Sequence, residues 1–286
     1  METPTRRTCV PFRGSLAVEL GLITWDRLLG PDFVRLHPDV YVGAGAEIDT
    51  RVRVGALSTW SRGLGVVAGP LAALAWGADC PWEDAEIVVD RRLRLAGARV
   101  RRDRLPADEV AARFGHRLTT PVRTAFDLAR REPFVDAVAA AESIAHVTRF
   151  PASLLARFAD RHPNARGIVQ VRRVCEAMDP RAESLPETRL RLGLLERGVP
   201  PAVPQLWVTL LTGERRRLDL AWPGSMFALE YNGSADHGSS TQQNSDAFRT
   251  GRLYDIGWDV LPVTSAMIMD VAAFDELARR VLRKVA

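Results

Sequence analysis

The feature that most restricts how this chain can fold is a run of punctuated elements in its C-terminal third. Ser184-Leu-Pro-Glu187 matches an S-x-x-E capping box, with Pro186 in the first turn, where its missing N–H is not needed. The helix it opens, TRLRLGLLERG, sets Leu190, Leu194 and Leu195 on one side and stops at Gly198. After the extended connector PPAVP, three strands are predicted at Gln205–Leu211, Arg217–Trp222 and Met226–Tyr231, turning through Gly213 and Pro223–Gly224. A loop NGSADHGSST, a helix over 242–256, the strand WDVLPV and a last helix over 266–284 complete the chain. The order is α-β-β-β-α-β with an added helix, an α/β (α+β) arrangement.

Two carboxylates ride on the central strands. A tight turn at Pro223–Gly224 sets Ala228 opposite Asp219, with Glu230 two residues further on the same face. Diagonal neighbours of this kind lie about 7 Å apart at Cβ, close enough for two carboxylates to share one hydrated divalent ion. Glu187, on the preceding helix, can add a third. Hard oxygen ligands suit Mg²⁺ or Mn²⁺ better than zinc. The simpler reading leaves Asp219 paired with Arg217 or Arg249 and Glu230 facing water.

RLDLAW, ALEYNG, His237, the D-x-x-R of Asp246 and Arg249, and GWDVLPVT together resemble the very-short-patch-repair-like branch of the PD-(D/E)XK restriction-endonuclease fold. The matching positions are Ser184, Glu187 and Arg191 on the helix, Gln205 on the first strand, Arg217 and Asp219 on the second, Glu230, Gly233 and His237 after the third, and Asp246 with Arg249. The resemblance covers residues 183–265 and implies a metal-dependent DNA endonuclease. Asp219, Glu230 and Glu187 would hold Mg²⁺ or Mn²⁺, His237 would act as general acid or base or contact the phosphate, and Gln205 would orient the water or the scissile phosphate. The sequence departs from the fold's general motif two residues after Glu230. Asn232 stands there in place of lysine, and it can hydrogen-bond a water without adding positive charge.

Further upstream, Ser15–Val42 reads as a short helix followed by a hairpin around His37–Pro38, the outline of a truncated winged helix or part of a larger α/β domain. Residues 51–80 read as helix, turn and a buried small-residue helix, and AEIVVD as a strand. RRLRLAGARVRRDRL reads as a hairpin turning at Ala96–Gly97, with Leu93, Leu95 and Val100 alternating with Arg92, Arg94, Arg99 and Arg101. That arginine stripe suits phosphate contact, or is a solvated strand face. LTTPVRTAFDLARR opens a helix with Thr119 or Thr120 as N-cap, and helices follow through Ala177. The T-T-P-x-R-T-A-x-D-L-A-R stretch and the helix-hairpin start resemble type IV abortive-infection antitoxin-like proteins. Three regions follow: 1–48, a possible winged-helix remnant; 49–177, mixed α/β and antitoxin-like; and 183–286, restriction-endonuclease-like.

Composition narrows the functions. Among 39 basic residues only Lys284 is a lysine, so no mid-chain lysine chemistry is available. The net charge is +4, and from Glu183 onward 12 basic residues face 13 acidic ones, so the positive excess sits in the first 182 residues, the expected side for nucleic acid. Cys9, Cys80 and Cys175 are far apart and the five histidines are scattered, which argues against disulfides or a zinc site. The apolar run Gly63–Trp76 is broken by glycines and Pro70 and is too short to span a bilayer, and no signal-peptide pattern opens the chain. The expectation is a cytoplasmic, DNA-binding protein with no membrane contact and no organic cofactor. A homodimer would suit a duplex-cutting nuclease. Three functions stay open: an Mg²⁺-dependent nuclease, a non-catalytic DNA-binding regulator of antitoxin type with a degenerate nuclease fold, and a protein-interaction module.

Overall fold

Three sheets organise the chain in a computed structural model that describes residues 3–80, 84–179, 181–182, 184–232 and 252–285. The protein is α+β, and its elements fall into two units, one of residues 1–132 and 143–177, the other of residues 133–142 and 178–286.

The first unit opens with a three-stranded sheet of β1 (Phe12–Arg13), β2 (Phe33–His37) and β3 (Val40–Gly43), in the order β1-β3-β2. The expected hairpin at His37–Pro38 is present, but the single expected helix before it is two, α1 (Gly14–Glu19) and α2 (Trp25–Leu28), with Gly21 at φ +68° between them. Phe12 meets Phe33 edge-on at 5.6 Å between ring centroids. Asp39 turns the hairpin at φ 62°, and its carboxylate accepts from the Ser15 N–H (2.7 Å), the Ser15 hydroxyl (2.6 Å) and Arg13 (3.2 Å). Partial burial alone would raise this carboxyl group's pKa, but the bonds from Ser15 and Arg13 hold it below the usual range.

A five-stranded sheet follows, ordered β6-β5-β4-β8-β7, from β4 (Val66–Ala68), β5 (Ala85–Val89), β6 (Ala98–Arg102), β7 (Val110–Arg113) and β8 (His116–Thr119). Helices α3 (Thr50–Trp60) and α4 (Gly69–Trp76) pack on it through Val54, Leu57, Leu71, Ala72 and Ala75 against Val67, Ile87 and Leu118. β4 was hidden in the sequence because it is only three residues long. The expected arginine hairpin is not formed. β6 pairs parallel with β5, from Ala85↔Ala98 to Val89↔Arg102, and only an isolated Leu95↔Ala98 bridge marks a turn at Gly97.

Helix α5 (Pro121–Ala129) is capped by Thr120, whose hydroxyl accepts from the Arg123 N–H, with Pro121 in the first turn. Its buried Arg123 reaches three carboxylates: Glu109, Asp127 at 2.9 Å and Asp103 at 2.8 Å. Glu109 and Asp127 are wholly buried. Burial alone would lower the Arg123 pKa, but Asp127, Glu109 and Asp103 push it up and keep the guanidinium charged. Asp127 also accepts from Arg130 (2.9 Å), and His162 Nε2 lies 2.8 Å from Glu109. Helices α6 (Phe134–Thr148), α7 (Ala152–Asp160) and α8 (Ile168–Ala177) follow.

The second unit is built on a four-stranded sheet in the order β12-β11-β10-β9, from β9 (Val203–Thr209), β10 (Arg215–Trp222), β11 (Phe227–Asn232) and β12 (Asp259–Thr264). Each strand lies within a few residues of its expected place. Leu190 and Leu194 of α9 (Leu185–Glu196) join Leu220, Phe227, Leu229, Val263, Phe274 and Leu277 in one core, while Leu218, Ala221, Ala228, Leu253 and Trp258 form another. The final helix is two, Ser265–Met269 and Val271–Val285. Gly193 sits where a Cβ would lie 2.8 Å from the Phe274 ring, so α9 approaches the last helix there without a side chain between. Glu142 is buried, accepts from Thr188, Arg191 (2.7 Å) and the Asp179 N–H (2.6 Å), and burial raises its pKa.

The register of β10 and β11 departs from expectation. Pro223–Ser225 form a 3-10 turn and Met226 takes φ 49°, so Ala228 pairs with Ala221 and not with Asp219. One step beyond the Leu220↔Leu229 pair stand Asp219 and Glu230, now directly across from each other. Among the described residues no helix is long and apolar enough to cross a membrane.

Two outcomes follow for stability. Arg123→Ala leaves Glu109 and Asp127 buried without their cation, and urea unfolding is expected to show a loss of about 3–5 kcal/mol; a loss below about 1 kcal/mol would contradict this placement. Because the folded-state pKa of Asp39 lies below its unfolded value, its contribution is full above about pH 4 and fades as pH falls through the folded value. Asp39→Asn, which also tolerates positive φ, should flatten that acid limb in urea titrations at neutral and acid pH.

Candidate functional site

The acidic site of the second unit begins at the start of α9. Ser184 caps the helix, and its hydroxyl also donates to Glu187 Oε1 at 2.7 Å. The other Glu187 oxygen accepts from Gln205 Nε2 at 2.7 Å, and the same nitrogen lies 3.4 Å from Asp219 Oδ1. Asp219 Oδ2 accepts the Tyr231 N–H at 2.8 Å, so this carboxylate takes up a strand donor just past the last β10–β11 pair. The sequence therefore brings Glu187, Gln205, Asp219 and Glu230 to one place. Gln205 links Glu187 to Asp219. Its backbone sits at φ +55°, its side chain is buried, and its amide bridges two carboxylates while Oε1 has no hydrogen-bond partner among the described residues.

Beside these groups lies a cavity of about 560 Å³ lined by Trp207, Arg215, Arg216, Arg217, Asp219, Glu230, Tyr231, Asn232 and Leu253. Asn232 ends β11 and is exposed. Arg191, expected as part of the helix motif, is turned to Glu142. His237, Asp246 and Arg249 lie outside the described residues, as does Gly233. Among the described residues no three His, Cys, Asp or Glu side chains stand at metal-holding spacing. The donor set is still hard oxygen, and the amide nitrogen of Gln205 occupies the place between Glu187 and Asp219. Turning that amide would present Oε1 toward the same two carboxylates.

The arginine stripe of the first unit is rearranged. Arg99 pairs with Asp84 at 2.7 Å and with Glu132 at 3.5 Å, and Arg101 pairs with Glu86 at 2.8 Å, a carboxylate that Arg131 also holds at 2.6 Å. β6 turns these two onto carboxylates of neighbouring elements. Arg92 and Arg94 instead join Arg91 and Arg102, with Leu93 and Val100, around an open depression of about 470 Å³. Arg91 faces Asp90 at 3.6 Å, and among the described residues Arg92, Arg94 and Arg102 have no ion pair. Arg91 and Arg102 were not expected in this role; Arg102 shares the strand face of Val100, which the alternation assigned to packing.

Residues 44–177 match the family model of the AbiEi antitoxin C-terminal domain. Two uncharacterized proteins of Mycobacterium tuberculosis, from strains CDC 1551 / Oshkosh and H37Rv, are each 29% identical to the chain over 234 residues, which is 80% of this chain and 84% of theirs. No solved structure gives a significant match. The middle of this chain, which holds the arginine depression and the Arg123 network, is thus similar to an antitoxin domain.

Proposed function

We propose that this chain is a DNA-binding regulator of the antitoxin type, and that the depression formed by Arg91, Arg92, Arg94 and Arg102 contacts duplex phosphates. The observation that carries this reading is that an open, arginine-lined depression lies within the stretch similar to the AbiEi antitoxin C-terminal domain. The guanidinium groups of Arg92, Arg94 and Arg102, which no carboxylate among the described residues pairs with, can fork onto phosphate oxygens and release condensed counterions. Such contacts fix position on DNA without reading sequence. Removing Arg92, Arg94 and Arg102 together should lower the slope of log K against log salt by about 3 and weaken binding to all duplexes alike. A slope equal to that of the wild type would contradict the assignment.

A second reading, metal-dependent hydrolysis of DNA in the second unit, is favoured by one observation: the Gln205 amide held between Glu187 and Asp219 with Oε1 left without a partner. On that reading Glu187, Asp219 and Glu230 would hold Mg²⁺ or Mn²⁺, Gln205 and Asn232 would orient a water, and His237 would move a proton. The ion would supply Lewis acidity at the phosphodiester. Calorimetric titration of Mn²⁺ separates the two readings. The regulator reading expects no carboxylate-dependent heat and no cleavage of DNA. Binding to the wild type that Asp219→Asn abolishes, together with Mn²⁺-dependent cleavage, would support the nuclease.

A further inference from the structure

We infer that the second unit carries a platform for unpaired nucleobases on Trp207, so that the chain binds single-stranded nucleic acid at a surface separate from the arginine depression. Trp207 lies on β9, the edge strand of its sheet, and is 52% exposed. Arg217 is its direct cross-strand partner, and Arg215 stands diagonally on β10 opposite Thr209. The guanidinium carbon of Arg215 lies 4.8 Å from the indole centroid and that of Arg217 lies 5.8 Å away. Arg216, paired with Glu214 at 3.0 Å, completes three successive arginines.

This combination selects its ligand. A base can stack on the half-exposed indole or on the guanidinium planes that lie over it, and those arginines can neutralise the phosphates on either side of that base. Bases inside a duplex are already stacked on each other and present no free face, so the platform favours single strands. An acidic peptide would satisfy the arginines but has no use for the indole. Trp207 and the three arginines line the same cavity as Asp219 and Glu230, so a strand seated there runs past the carboxylates. The inference does not depend on the regulator reading, which concerns the first unit and duplex phosphates.

The test is fluorescence anisotropy of the full chain with a labelled oligothymidylate and, separately, with a blunt-ended duplex of two strands. Trp207→Ala should weaken oligothymidylate binding about tenfold and leave duplex binding unchanged, while Trp207→Phe, which keeps an aromatic face, should restore most of the loss. The variant lacking Arg92, Arg94 and Arg102 should bind oligothymidylate as the wild type does, so a failure of the duplex reading leaves this result interpretable. Wild-type protein that does not bind oligothymidylate would overturn the inference. So would Trp207→Ala binding it normally or losing both ligands equally. Capture of polyglutamate that Arg215→Ala abolishes and Trp207→Ala does not, with no oligothymidylate effect, would assign the surface to an acidic peptide instead.

Discussion

The guanidinium of Arg123 is the contact on which the first unit depends. Glu109 and Asp127 are fully enclosed, and a carboxylate in that position is tolerated only when a cation and well-aimed donors meet it. Arg123 serves both and reaches Asp103 as well, each through a different nitrogen; a lysine would have to meet all three from a single one. Asp127 in turn holds Arg130 and Arg131, and Arg131 shares Glu86 with Arg101 on the sheet. One chain of ion pairs thus runs from helix α5 to strands β5 and β6, beside the arginine depression. Trading charge for charge inside the fold decides which arginines remain available outside it.

The same sorting explains why the arginine stripe could be read only in part. Alternation along 92–101 set Leu95 and Val100 toward the core, where they lie, but did not show that Arg99 and Arg101 meet carboxylates. The carboxylates that capture Arg99 and Arg101 come from Asp84, Glu86 and Glu132, positions that no local period connects to β6. T-T-P-x-R-T-A-x-D reads as a helix start because Thr120, Pro121 and the Arg123–Asp127 spacing are local. The role of Arg123 as a buried hub depends on Glu109 and Asp103 in preceding segments and was not visible. The strands of the second unit were legible because each is a short apolar run between turn residues. Their register was not, because a 3-10 turn with Met226 at positive φ replaced the tight turn implied by Pro223–Gly224.

In the acidic site, residue types were legible and their relations were not. Glu187, Gln205, Asp219 and Glu230 are brought together, yet the left-handed backbone at Gln205 and its bridging amide leave no trace in the spacing. A buried amide oxygen without a partner is costly, and a structure keeps such a group where neighbouring geometry forces it. Here the two carboxylates compel the nitrogen to turn toward them, and the oxygen is left behind. Sheet and capping helix therefore preserve an acidic cleft whether or not chemistry takes place in it, so the balance between hydrolysis and the proposed regulator rests on the similarity of residues 44–177 to an antitoxin domain.

The most direct test of that balance is equilibrium binding of a DNA duplex by the full chain across a range of salt concentrations, once in EDTA and once in Mg²⁺. The regulator account predicts tight binding in EDTA that falls steeply with salt, is no tighter in Mg²⁺, which competes for the phosphates, and leaves the DNA intact. Binding that requires Mg²⁺, DNA cut in its presence, or no binding in either buffer would contradict it.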